Sequence, residues 1–272
     1  MIAPIVARVG AATDTGLKRA HNEDSHLAQA PLFLVADGMG GHQAGDRASS
    51  MVVREFQALL GRTVLTIDDV GFALAHARTA VEAIAHDGSA GAGTTLSGVA
   101  IAEVDGAGYW LAMNIGDSRT YRYAHRALEQ ISVDHSVVQE LIDAGELRAS
   151  EARHDRRRNI ITRAIGAGST GEADFWMIPA AAGDRILICS DGLSSEVDDR
   201  ELSEMLAIFE DPQAAAERLV ARALELGGRD NVTAVVVDAI HVSARSSGAN
   251  AGGFDDIDSD TRPRAEAMGG MQ

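Results

Sequence analysis

Apolar positions near the start of the chain come in short runs, and then recur three and four residues apart. Ile5 to Ala11 and Leu32 to Ala36 read as strands, the second ending at Asp37-Gly38. From about Ala44 to Leu60 the residues Ala48, Val52, Phe56, Leu59 and Leu60 share one face, which predicts a helix. A second helix starts at the carboxylates Asp68 and Asp69 and runs to about His86, with Leu74, Ala77, Val81 and Ile84 on its apolar face. Four strands follow and are expected as a meander: Thr94 to Val104, Ala107 to Ile115, Arg119 to Tyr123 and Ala127 to Ile131. Asp105-Gly106 joins the first two as a hairpin turn. The polar segment from Asp134 to Gly171 reads as mostly helical. Phe175 to Ile178 and Asp184 to Cys189 are strands. A further helix carries the clearest start signal, Asp211 as N-cap and Pro212 in the first position; it runs to Leu226, with Gly227 just past its end. Val232 to Val237 is the last strand. Strands and helices come in groups rather than in strict alternation, which points to a layered α+β fold.

The chain has 272 residues, 46% of them apolar, enough for one sizeable core. Residues 1–241 read as a single domain. Residues 242–272 are acidic and Gly-rich, lack an apolar period, and are expected to be a disordered tail, a partner-docking role for the Phe254/Ile257 patch being the alternative. The formal charge of −16 argues against nucleic acid and membrane surfaces as partners. No window is apolar enough to span a membrane, and the start lacks a basic segment followed by an apolar one, so a cytoplasmic location is expected; a monomer is expected as well. The single cysteine, Cys189, excludes an internal disulfide and lies in an apolar run, as a packing residue does.

Acidic residues punctuate the strand ends. Asp37 and Asp191 each precede glycine after an apolar run, Asp117 follows Ile115-Gly116, and Asp230 stands just before the last strand. One Asp-Gly is a turn; four carboxylates that a layered fold would gather at one side repel one another unless a multivalent cation compensates. All-oxygen ligands favour Mg²⁺, Mn²⁺ or Ca²⁺ over Zn²⁺. The hexapeptide from Arg19 to Asp24 adds a guanidinium, whose planar fork suits phosphate, beside the adjacent carboxylates Glu23 and Asp24. Cations plus a phosphate clamp are the parts of metal-assisted phosphoester hydrolysis.

These segments occur together with others in a recognisable order: Arg19 to Asp24, Val35 to His42, Ala92 to Thr95, Asn114 to Arg119, Asp134 to Ser136, Ser190 to Leu193 and Arg229 to Thr233. The set resembles the metal-dependent Ser/Thr protein phosphatases of type 2C in their bacterial form, over about residues 8 to 238. The resemblance implies a four-layer α-β-β-α sandwich of two antiparallel sheets flanked by helices. It also implies hydrolysis of phosphoserine and phosphothreonine on proteins by a metal-activated water, opposing a bacterial Ser/Thr kinase. Two tightly held Mn²⁺ or Mg²⁺ ions are implied, with Asp37 bridging them, the Gly38 carbonyl on one, and Asp191 and Asp230 on the other. Glu23 and Asp24 act close by, and Arg19 holds the substrate phosphate.

Two positions depart from the family pattern. Met39 stands where eukaryotic relatives commonly place a histidine, leaving a water or His42 to protonate the leaving group. Ser195 stands where many relatives carry a carboxylate that, with the counterpart of Asp117, holds a third metal; a hydroxyl there implies a weaker third site. The stretch 134–171 corresponds to the family's flap, and Arg156, Arg157 and Arg158 in it could attract phosphorylated or acidic peptides or simply be solvated. A catalytically silent binding module and a phosphatase dedicated to one regulatory partner stay open as alternatives.

Overall fold

The computed structural model describes residues 3–40, 44–85, 91–152, 155–169 and 171–244. In chain order the elements are β1 (Ile5–Asp14), β2 (Asp24–Gln29), β3 (Leu32–Met39), α1 (Ala44–Gln57), α2 (Ile67–Ala85), β4 (Gly93–Thr94), β5 (Leu96–Val104), β6 (Ala107–Ile115), β7 (Arg119–Ala124) and β8 (Ala127–Gln130). Then come α3 (Val137–Asp143), α4 (Ala149–Ala152), β9 (Ile165–Gly166), β10 (Asp174–Pro179), β11 (Arg185–Cys189), α5 (Asp191–Ser194), α6 (Asp199–Ile208), α7 (Pro212–Leu226) and β12 (Val232–Val242).

The strands form two antiparallel sheets. One has the order β1-β12-β11-β7-β8; the other runs β10-β6-β5-β3-β4-β9, with β2 paired to β3. Alternate residues of the central strands point into the layer between the sheets. Phe33, Val35, Val99, Ile101 and Trp110 meet Ile186, Ile188, Val235 and Val237 there. The intervening residues point outward and are covered too. Leu32, Leu34 and Ala36 pack under Val52 and Phe56 of α1 and Val81 of α2. Leu187 and Val236 pack under Leu202, Leu206 and Leu219 of α6 and α7. Burial on both faces is why these strands read as unbroken apolar runs rather than as alternating ones. The result is the α-β-β-α sandwich.

Several expectations are corrected. The four-strand meander is two hairpins in different sheets: β5 and β6 pair in the second sheet, β7 and β8 in the first, and the chain crosses between them at residues 116–118. Among its described residues the segment 134–171 is not mostly helical; the helices there are the short α3 and α4, because few apolar residues there have a surface to cover. β2, α5 and α6 are elements that the apolar pattern did not announce, and β9 is a strand inside the segment expected to be helical. Asp198 caps α6, accepting from the Glu201 N–H at 2.8 Å, and Leu202, Met205 and Leu206 anchor it. Past α7 it is Gly228, at φ +51°, that takes the left-handed position rather than Gly227. β12 continues five residues beyond Val237, and its Val242 pairs with Ile5, so the boundary expected at 242 falls inside a strand. Phe254 and Ile257 lie outside the described residues.

Candidate metal centre

Topology gathers the acidic strand ends at one end of the sandwich. β2 and β3 pair so that Asp24 stands directly opposite Asp37. β11 and β12 are neighbours, which brings Asp191, one residue after Ser190, beside Asp230, before β12; the Ser190 N–H reaches the Thr233 carbonyl at 3.1 Å. Asp117 lies on the crossing turn. Asp37 consequently feels the charges of Asp24, Asp191, Asp117 and Asp230, all of which raise its carboxyl pKa. Arg19 stands at the exposed rim and donates to Asp230 Oδ2 at 2.7 Å.

Backbone and hydroxyl groups hold these side chains. The Asp37 N–H donates to Thr95 Oγ1 at 3.0 Å, and its carbonyl accepts from Thr95 N–H and Thr94 Oγ1 at 2.9 Å each. Asp24 Oδ2 accepts from Ser190 Oγ at 2.8 Å and Thr233 Oγ1 at 2.6 Å, whereas Asp24 Oδ1 is buried with no partner. Asn231 Oδ1 accepts from the Glu23 N–H at 2.8 Å, and its amide nitrogen donates to the carbonyls of Thr15 and His21. Gly38 is locked between segments: a Cβ there would sit 2.2 Å from the Gly45 carbonyl oxygen and 2.6 Å from that of Glu23. The roles of Ser190, Thr233 and Asn231 were missed in the sequence reading, although all three stand inside the quoted motifs.

Burial, followed by the neighbouring carboxylates, pushes Asp24 up to about 7. Burial and then the charge of Asp230 push Asp191 up to about 6, against a hydrogen bond from Asp37 that opposes the rise. Burial pushes Asp37 well above the carboxylate range, and likewise Asp117, which also faces Asp191 and Asp134. Among the described residues no three acidic, His or Cys side chains converge as a finished cage; Asp230 is turned onto Arg19, and Asp37 bonds Asp191. The all-oxygen donor set, the mutual repulsion and the orphaned Asp24 Oδ1 nonetheless fit hard divalent cations, which would relieve all three.

A pH dependence follows. Asp24 and Asp191 have folded-state values above their unfolded ones, so protonation stabilises the metal-free fold. That stabilisation is complete below about pH 4 and is lost as the pH rises to about 7. A cation offsets the repulsion that remains at high pH. The rise in melting temperature on adding Mn²⁺ is therefore expected to be larger at pH 7.5 than at pH 5.5. Thermal melts with chelator and with Mn²⁺ at both values measure it; equal rises would show that these carboxylates do not face the cation.

The family model described as Protein phosphatase 2C matches residues 18–225. The chain belongs to the protein phosphatase 2C family. It is 40% identical over 241 residues to the serine/threonine protein phosphatase PstP of Mycobacterium tuberculosis, an alignment covering 87% of this chain and 46% of that protein. The chain thus spans about half the length of that relative. It is 35% identical over 239 residues to the serine/threonine phosphatase stp of Listeria monocytogenes, covering 83% of this chain and 93% of that one. The crystal structure of the M. tuberculosis PstP superposes with a TM-score of 0.80 at 39% identity, covering 87% of this chain and all of that one. The catalytic domain of PstP in complex with two manganese ions superposes with a TM-score of 0.78 at 37% identity, covering 86% and 98%.

In this phosphatase 2C chain the polar segment after β8 borders the carboxylates. Arg158 and Asn159 line a cleft of about 490 Å³ together with Asp191, Ser195, Arg229 and Asp230. Of the three consecutive arginines, Arg158 therefore faces the centre, while Arg157 folds back onto Asp155 at 2.8 Å. Ser195 is exposed at the end of α5, its N–H donating to the Asp191 carbonyl at 2.7 Å. Met39 lines a second cleft with Arg163. His42 lies outside the described residues. No helix among the described residues is long and apolar enough to cross a membrane.

Proposed function

We propose that the chain hydrolyses phosphoserine and phosphothreonine on proteins, with two Mn²⁺ or Mg²⁺ ions held by the carboxylates at the end of the sandwich. The observation that carries this reading is the gathering of five half-buried aspartates, near enough for their charges to act on Asp37, at one end of the sandwich beside the exposed Arg19. The names of the relatives and the two manganese ions in the PstP catalytic domain support it. Asp37, the Gly38 carbonyl, Asp191 and Asp230 are the residues assigned to the two ions, with Asp24 close by and Asp117 assigned to a weaker third site. The ions supply Lewis acidity: they make water nucleophilic near neutral pH and stabilise charge on the phosphoryl oxygens.

The chain's own residues do the rest. Arg19 presents guanidinium donors at the rim, where a phosphate would lie between it and the carboxylates. Thr95 and Thr94 fix the Asp37 backbone, and Ser190 and Thr233 fix one Asp24 oxygen, so the centre keeps its geometry without substrate. Arg158 at the cleft wall adds positive charge along the approach of a phosphoprotein. The sandwich that closes with β12 is read as the catalytic domain, acting as a monomer, with a Ser/Thr kinase among its phosphorylated partners.

Mn²⁺-dependent release of phosphate from a phosphothreonine peptide tests this, with Arg19→Ala as the diagnostic variant. Hydrolysis is expected to vanish with chelator. The variant loses a charged hydrogen bond of about 1.5–3 kcal/mol, roughly 10–100-fold in kcat/KM, mostly through KM. Its Mn²⁺ requirement should not rise, because a cation has been taken away from the centre. Hydrolysis that survives chelation, or an unchanged KM in the variant, would overturn the assignment.

A further inference from the structure

The turn that carries Asp117 is held from outside the carboxylate cluster. Gly116 has φ +102°, and a Cβ there would lie 2.5 Å from Thr95 Cγ2, so only glycine fits. Its carbonyl accepts from the His135 N–H at 2.8 Å and from Asn114 Nδ2 at 3.0 Å. Its own N–H donates to His135 Nδ1 at 3.2 Å. The His135 side chain is 5% exposed. Because Nδ1 accepts, the ring proton belongs on Nε2, which faces Asp174 Oδ2 at 3.0 Å. Arg163 Nη1 also lies 3.3 Å from Nε2, where two donors cannot bond, and it donates instead to Asp174 Oδ1 at 3.2 Å. The His135 carbonyl accepts from the Thr162 N–H at 2.8 Å. His135 thus joins three segments: its ring bonds the crossing turn and the first residue of β10, and its backbone carbonyl holds the chain returning from the polar segment.

We propose that His135 is a positioning residue for the metal centre: it clamps both peptide groups of Gly116, and so sets the direction of the Asp117 carboxylate, while Asp174 sets its tautomer. The arrangement has the form of a carboxylate–histidine pair that orients a metal-binding side chain, displaced by one peptide. The proposal rests on the reading of Asp117 as a carboxylate of the centre.

Two amide variants separate the roles of the two ring nitrogens. Asparagine can offer an oxygen where Nδ1 stands but does not reach Asp174. Glutamine can reach Asp174 but leaves the buried Gly116 N–H without an acceptor. His135→Gln is expected to weaken the weakest Mn²⁺ site about tenfold or more in a calorimetric titration. The Mn²⁺ concentration for half-maximal hydrolysis should rise in parallel, with phosphopeptide KM at saturating Mn²⁺ held within about twofold. His135→Asn should recover most of the loss. Asp174→Ala, on the exposed sheet edge and away from the core, should weaken the same site about threefold, and serves if the Gln variant does not fold. If Asp117→Asn weakens that site while neither His135→Gln nor Asp174→Ala does, His135 is only a packing residue. If the Asn and Gln variants lose equally, the Nδ1 contact is not the operative one. If Asp117→Asn leaves every Mn²⁺ affinity unchanged, the assignment of Asp117 fails and takes this proposal with it.

Discussion

Asp37→Asn is expected to melt above the native protein when no metal is present and yet to lose at least about a thousandfold in turnover. The two effects share a cause. Asp37 lies in a desolvated position facing Asp24, Asp191, Asp117 and Asp230, and every one of those charges disfavours its ionised form. A neutral amide of nearly the same shape removes that repulsion. It also removes the negative charge on which two cations are proposed to converge. A loss of about 4 kcal/mol of transition-state stabilisation corresponds to roughly a thousandfold in rate. Opposite changes in stability and activity mark a residue kept for function at a cost to the fold. Chelator-treated melts and kcat at saturating Mn²⁺ measure the pair; near-native turnover would sink the metal assignment, and an unchanged or lower melting temperature would sink the electrostatic account.

The largest expected loss of stability lies at the opposite end of β11. Arg185→Met should lower the melting temperature by about 10 °C, from about 3–5 kcal/mol for breaking a buried pair at roughly 2–4 °C per kcal/mol. The Arg185 guanidinium donates from Nε to Asp238 Oδ1 at 2.6 Å and from Nη2 to Oδ2 at 2.8 Å. It also donates to the carbonyls of Leu206, Phe209 and Glu210, where α6 ends and the chain turns toward α7. Methionine fills similar space but leaves Asp238 buried. Arg8 is a poor substitute partner, exposed and 3.5 Å away. The double variant Arg185→Met, Asp238→Leu should recover part of the loss. kcat of the folded single variant should stay near native, since Arg185 begins the strand whose other end leads to the centre. A shift below about 2 °C would mean that the interior accommodates a lone carboxylate there.

Residues within one element, and the chemistry of the acidic strand ends, were legible in the sequence because they depend on local order. Short apolar runs marked most strands and three-to-four spacing the long helices, and Asp211-Pro212 marked the start of α7, whose cap forms as expected with the Ala214 N–H at 2.9 Å. Asp37, Asp117 and Asp191 stood out because each follows an apolar run where a strand must stop, and Asp230 because it stands just before a strand begins. Sheet membership was not legible. β6 and β7 follow one another as a meander would, yet a turn with Gly116 at positive φ sends the second into the other sheet, and no periodicity encodes which apolar layer a strand will cover. The polar segment after β8 was read as helical because little in it forbids a helix, but a helix lasts only where a face is buried, and α3 and α4 bury little. The centre itself depends on contacts across great chain distances. Arg19 bonds Asp230, and Asp24 takes its hydroxyl partners from Ser190, just past β11, and Thr233 of β12, both belonging to the other sheet's end. The sequence determined which groups could carry charge and where the strands end; only the closing of two sheets over one dry layer decided that those ends lie together, because burial, not local spacing, brings like charges close enough to require a cation.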